Sequence, residues 1–245
     1  MDKLKPRAII FDLGSTLIEY EAIPWDDLGV HCVDAGWQYL SKTHLSLPPR
    51  DEFLAAFDDL KSEYRAAARD TLIEWTVPDL VTKLFKRIGI AVEEDIVMGF
   101  FGAYYERVHR ELFMYDDTLD TLKKLKPEYP VMGLVSNTIF PEEVHLKELE
   151  HFGIAPYLSF TVFSSTFRVR KPHPDIFYHA ANCAGFAPSE CLFVGDRYVE
   201  DVQGPSEIGM SAVLKVKPGR DYPEEMPEAA AKIDSLAELI DHLEF

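Results

Sequence analysis

Apolar residues along this chain come in short runs that stop abruptly at a polar residue. In "RAIIFD" (7–12) Ile9, Ile10 and Phe11 run into Asp12. The stretches "PVMGLVSN" (130–137), "FTVFSS" (160–165), "ECLFVGD" (190–196) and "SAVLKV" (211–216) have the same form. Runs this short, rich in β-branched residues, predict buried strands. Between them the spacing turns helical. "DDTLDTLKKLKP" (116–127) carries Leu119, Leu122 and Leu125 on one face, and 141–153 and 173–185 end at Gly153 and Gly185. Residues 199–209 form an irregular helix interrupted by Gly204 and Pro205, and an amphipathic helix capped by Asp234 closes the chain over 234–245. Short strands alternating with helices predict an α/β fold, a doubly wound parallel sheet.

Residues 20–113 differ. Four helical stretches (25–42, 49–70, 77–89 and 93–113) follow one another with almost no strand signal, punctuated by Pro48, Pro49, Pro78 and Gly89. The expected organisation is a core built from 1–19 and 114–245, with a helical domain over 20–113 inserted after the first strand. The Pro- and Glu-rich stretch 217–230 is expected to be a surface loop.

With 245 residues and 47% hydrophobic content the chain can bury a large core. Its net charge of −17 repels phosphate backbones, so nucleic acid is not an expected partner. A protein this acidic needs a local cation to handle a small anion, and a metal ion is the obvious source. Cys32, Cys183 and Cys191 are scattered and form no C-x-x-C pair, as suits a reducing compartment. No run reaches the roughly 18 apolar residues of a membrane span, and the N-terminal basic residues precede too short an apolar run for a signal peptide. The cytoplasm is the expected location.

In an open parallel sheet, ligands bind beyond the carboxyl ends of the strands. Four predicted strand ends carry Asp12, Ser136-Asn137, Ser164-Ser165 and Asp196. The helical insert leaves the chain at the first of these ends and is expected to form a lid. Singly, each motif is weak, because an Asp after a strand caps helices as often as it reacts. In order they are D-x-x-x-T (12–16), S-N (136–137), K-P-x-P (171–174) and G-D-x-x-x-x-D (195–201). This series, with a helical insert after the first motif, resembles the haloacid dehalogenase-like (HAD) superfamily and its Rossmann-like core with a helical cap.

The resemblance implies a nucleophilic carboxylate at Asp12 that forms an aspartyl-phosphate. It implies Mg²⁺ held by Asp12, Asp196 and the backbone carbonyl of Gly14, an all-oxygen set suited to a hard ion. Ser136, Asn137 and Lys171 would bind the phosphoryl group, with Lys171 also keeping Asp12 ionised. Thr16 and Asp201 would support the site from behind. The implied activity is Mg²⁺-dependent hydrolysis of a small phosphorylated metabolite.

One position departs from the family's phosphatases, which usually carry D-x-D at the first motif. Here the second acid, the proton donor to the leaving oxygen, is Gly14. The carbonyl for the metal survives the change, and the general acid/base does not. Three readings follow: a phosphatase whose substrate leaves without that proton, or takes it from elsewhere; a binding protein with little turnover; and a metal-independent 2-haloacid dehalogenase. Among titratable residues in or near the insert, Glu19, Tyr20, His31 and Glu74 are the candidates for a replacement acid.

Overall fold

The computed structural model describes residues 3–224, 226–227 and 230–244. Two compact units are present: Met1–Glu19 with Met114–Phe245, and Tyr20–Phe113.

The strands, in chain order, are β1 (Ala8–Phe11), β2 (Ile18–Glu19), β3 (Phe113–Met114), β4 (Val131–Ser136), β5 (Phe160–Phe163), β6 (Cys191–Gly195), β7 (Ser211–Lys215) and β8 (Ala230–Ile233). Six of them form a parallel sheet in the order β5-β4-β1-β6-β7-β8. β1 lies at its centre, with Phe11 level with Leu134 on one side and Val194 on the other. All four of its residues are fully buried, which is why the run is uniformly apolar rather than alternating. From β1 the sheet grows one way through β4 and β5 and the other way through β6, β7 and β8. The carboxyl end of β1 is therefore the topological switch point, where a crevice must open. Gly133 in β4 is glycine for a packing reason: a Cβ there would lie 2.1 Å from the Phe160 ring.

Three expectations need correction. The stretch read as a loop up to residue 230 delivers a sixth strand, β8, paired with β7. The closing helix over 234–245 is reduced to a 3₁₀ turn (Leu236–Glu238) and one helical turn (Leu239–His242), and Phe245 lies outside the described residues. Leu236, Leu239 and Leu243 are all buried at the spacing that suggested a helix. The backbone stops helical pairing because Leu4 N–H donates to His242 O (2.8 Å) and Glu244 N–H donates to Leu4 O (3.0 Å). Asp234 does not cap this element; its N–H donates to Glu238. After β5, Ser164 begins a one-turn helix (Ser164–Phe167) instead of extending the strand. The irregular segment after β6 is a wide turn over Tyr198–Gln203, followed by Gly204–Glu207.

The second unit packs four helices, α1 (Trp25–Leu40), α2 (Arg50–Thr71), α3 (Val77–Arg87) and α4 (Glu94–His109). Its core is aromatic: Phe100 lies about 6 Å, ring to ring, from Phe53, Phe57 and Tyr104. A Cβ on Gly36 of α1 would lie 2.3 Å from the Phe100 ring, so the close approach of the two helices requires glycine there. The Thr76–Asp79 capping box starts α3.

Candidate active site

Asp12 follows the last residue of β1, and its N–H donates to Val194 O of β6 (2.8 Å), which carries the sheet pairing up to the carboxylate itself. The chain then turns sharply through Ser15, at φ 59°, and Thr16 Oγ1 reaches back toward Asp12 Oδ2 at 3.4 Å. Lys171 is fully buried beside it. Its Nζ donates to Asp12 Oδ1 (2.6 Å), Asp201 Oδ1 (2.6 Å) and Val135 O (3.1 Å). The three donors of one ammonium are thereby used by two carboxylates and the end of β4.

Asp201 is wholly buried and holds two things at once. Its Oδ1 takes the lysine, and its Oδ2 accepts the N–H groups of Asp196 (3.1 Å) and Arg197 (2.8 Å). That fixes the turn after β6, which carries Asp196. Gly195 makes the arrangement possible, because a Cβ there would lie 2.4 Å from Asp201 Cγ. Asp12, Asp196 and Asp201 each bring a carboxylate oxygen within 4.8 Å of the others. Asp196 Oδ1 is buried with no hydrogen-bond partner among the described residues, an unmet acceptor that a cation would satisfy.

Burial in this crowded place shifts the titration of Asp12 and Asp196. Burial lifts Asp12 to about 6, against the opposing pull of Lys171. Burial, with the charges of Asp12 and Asp201 added, lifts Asp196 to about 7. Lys171 is moved upward: burial alone would lower it, but Asp12 and Asp201 outweigh that.

Ser136 is the last residue of β4 and is buried at the same end of the sheet. Asn137, expected to meet phosphate, has its side-chain amide engaged elsewhere. Its Nδ2 donates to Lys171 O (2.9 Å) and its Oδ1 accepts Lys171 N–H (2.8 Å). In this structure Asn137 is a clamp on the lysine loop. Ser164 Oγ accepts Thr138 N–H (2.8 Å) and so joins the ends of β4 and β5.

Sequence reasoning missed the cations on the other side of Asp12. Lys215 Nζ donates to Ser15 O (3.0 Å), and Lys217 Nζ donates to Ser15 Oγ and Glu19 Oε1, each at 2.8 Å. Arg220 Nη1 donates to Asp196 Oδ2, and Tyr222 OH donates to Asp196 O (2.9 Å). A signal for them was present: β7 ends at Lys215 and runs on into Val216 and Lys217, a pair of lysines at a fifth strand end in an acidic chain. Glu19, a candidate acid, accepts from Ser15, Lys217 and Tyr115, the last at 2.5 Å. These contacts tie the Glu19 carboxyl to the Ser15 turn and to Tyr115. Tyr20, His31 and Glu74 belong to the helical unit, where Glu74 is buried and accepts Trp75 N–H. A cavity of about 630 Å³ lies beside the Ser15 turn, lined in part by Glu19, Tyr115, Lys215, Lys217 and Asp234.

Residues 6–209 match the haloacid dehalogenase-like hydrolase family. The chain belongs to that family. Among curated relatives of this HAD hydrolase is the glyceraldehyde 3-phosphate phosphatase of Methanopyrus kandleri, 32% identical over 53% of this chain and 55% of the relative. The phosphoglycolate phosphatase of Escherichia coli is 35% identical over 51% of this chain and 49% of the relative. The chain thus spans about half the length of the curated relatives it matches. Among solved structures, a HAD phosphatase from Thermococcus onnurineus is 26% identical and covers 96% of both chains with a TM-score of 0.64. A 2-haloacid dehalogenase from Pseudomonas syringae pv. tomato superposes with a TM-score of 0.70 over 99% of this chain and 98% of its own, at 19% identity, and shares the fold. Among the described residues of the HAD hydrolase, no helix is long and apolar enough to cross a membrane.

Proposed function

We propose that this HAD hydrolase is a Mg²⁺-dependent phosphatase of a small phosphorylated metabolite, working through a phosphoryl group carried on Asp12. The observation that carries the reading is the buried Asp12–Lys171–Asp201 pairing beside Asp196, whose Oδ1 has no partner among the described residues. Relatives named for glyceraldehyde 3-phosphate and phosphoglycolate support a small phosphorylated substrate.

The donor set is all oxygen, which fits Mg²⁺. Asp12, Asp196 and the Gly14 carbonyl would hold it, and when bound it would offset the charge of the phosphoryl oxygens. The rest is done by the chain. Lys171 holds Asp12 deprotonated and aimed. The Asp12 carboxylate attacks phosphorus in line, and the new O–P bond forms as the bond to the leaving oxygen breaks. Ser136 contacts a phosphoryl oxygen, the Lys171 charge beside Asp12 offsets phosphoryl charge, Asn137 keeps Lys171 in register, and Thr16 steadies the turn after Asp12. Gly14 offers no proton, so the leaving oxygen departs as an anion or takes a proton from water. A water molecule then attacks the phosphorus on Asp12, releasing inorganic phosphate and a proton and restoring the carboxylate.

Turnover of p-nitrophenyl phosphate and acetyl phosphate tests the reading. With Mg²⁺ the purified chain is expected to hydrolyse both, and Asp12→Asn to abolish hydrolysis. No turnover with Mg²⁺, Mn²⁺ or Co²⁺ would sink it. Halide release from 2-chloropropionate that persists in EDTA would favour the dehalogenase reading instead.

A further inference from the structure

Arg220 makes a contact that phosphate hydrolysis as described does not use. It comes from the loop after β7 and donates from Nη1 to Asp196 Oδ2 and, at 3.2 Å, to Asp196 O. The loop is tied down on both sides of it. Tyr222 OH donates to Asp196 O (2.9 Å) and accepts Lys217 N–H (3.0 Å), while the Lys217 side chain grips Ser15 and Glu19. Arg220 is therefore delivered to Asp196 by a strap that bridges the turns after β1 and β6. Its side chain is largely buried (21% exposed). The other oxygen of the same carboxylate, Asp196 Oδ1, is buried and unpartnered among the described residues.

We propose that Arg220 is the resident counter-cation of Asp196, and that its charge trades metal affinity against anion affinity in this site. The inference rests on the reading of Asp12 and Asp196 as metal ligands. Three buried carboxylates, Asp12, Asp196 and Asp201, face the buried Lys171 and the partly exposed Arg220, and the charge of Arg197 also acts on Asp12 and Asp196. Without Arg220 the cluster would carry one more net negative charge. A divalent cation is drawn more strongly to that arrangement, and it also finds both Asp196 oxygens open. A phosphate meets the reverse. Once metal is bound, Arg220 adds one positive charge to the centre that receives the anion, and its planar fork suits phosphate oxygens. One substitution should therefore move two affinities in opposite directions, whereas damage to the fold would lower both.

Calorimetric titration of the full chain tests this, first with Mg²⁺ alone and then with inorganic phosphate added to the Mg²⁺-loaded protein. Arg220→Gln and Arg220→Met are expected to bind Mg²⁺ about tenfold tighter and phosphate about tenfold weaker than wild type. Arg220→Lys keeps the charge and is expected to stay within about threefold of wild type on both measures. If wild type binds Mg²⁺ and the two neutral variants bind it equally or more weakly, Arg220 has no such role and the metal reading stands without it. If neither wild type nor variants bind Mg²⁺, the metal reading fails and takes the inference with it.

Discussion

Asp201→Asn is the substitution whose effect the structure constrains most tightly. The carboxylate is fully buried and accepts three bonds, from Lys171 Nζ, Asp196 N–H and Arg197 N–H. Asparagine has the same shape but only one acceptor atom. If its oxygen keeps the two backbone N–H groups, its NH₂ points at the Lys171 ammonium, donor against donor. If it turns to keep the lysine, both N–H groups that fix the Asp196 turn are orphaned. Losing a hydrogen bond to a charged group costs about 1.5–3 kcal/mol, and breaking a buried ion pair about 3–5 kcal/mol. Lys171 still has Asp12, so the lower end applies, at about 3 kcal/mol. For a chain of this size that lowers the melting temperature by roughly 6–12 °C. Activity should fall mainly in kcat, because the lysine that aims Asp12 loses one of its two carboxylate anchors. Thermal melts by circular dichroism, with steady-state kinetics in Mg²⁺, read both quantities. A variant that melts within about 2 °C of wild type and keeps its kcat would refute the assignment of Asp201 as the residue that positions both Lys171 and Asp196.

Further outcomes follow from the same geometry. Gly195→Ala places a methyl 2.4 Å from Asp201 Cγ; differential scanning calorimetry should show a loss of about 1–3 kcal/mol, and an unchanged melt would mean the turn has room to spare. Across a series of aryl phosphates, the rate should depend steeply on leaving-group pKa, since Gly14 supplies no proton. Gly14→Asp should raise the rate on poor leaving groups by up to about 10²–10⁴, and a flat series in wild type would count against an unassisted departure. Mg²⁺ affinity should weaken as pH falls through about 7 and then 6, where Asp196 and Asp12 take up protons that compete with the ion. Calorimetric titrations at pH 8 and pH 5.5 check this, and equal dissociation constants would contradict it. In the metal-free protein the sign reverses for stability. Both groups titrate above their ordinary 3.8, so between those values the folded chain binds more protons than the unfolded one. Their stabilising contribution is therefore present at low pH and lost as pH rises through 6 to 7, a trend that denaturant melts in EDTA would show.

Much of the site was legible because it lies where the strands end. A central parallel strand is buried on both faces, so it reads as an unbroken apolar run, and the first polar residue after it marks the crevice. Asp12, Ser136 and Asp196 stand out in this way. Lys171 was legible only through its motif, since nothing in "RVRKPHP" shows that its ammonium is drawn under β1. The role of Gly195 is tertiary: it exists because Asp201, six residues on, folds back over it. Arg220, Lys217 and Tyr222 were hidden in a stretch whose prolines and glutamates describe a surface loop, and a loop's sequence does not say which turn it is tied to. β8 escaped because "AAKI" is short and alanine-rich, with weak strand propensity, and forms only by pairing with β7. The closing helix was overextended because three buried leucines keep helical spacing even where the backbone has turned to pair with Leu4.

In the proposed reaction Asp12 carries the phosphoryl group. Rapid quenching of the wild-type chain during turnover of acetyl phosphate in Mg²⁺, followed by peptide mass spectrometry, tests it directly. A phosphoryl group is expected on the peptide that contains Asp12, transient in wild type and absent from Asp12→Asn. Turnover with a persistently unmodified Asp12, or a phosphoryl group on another residue, would contradict it.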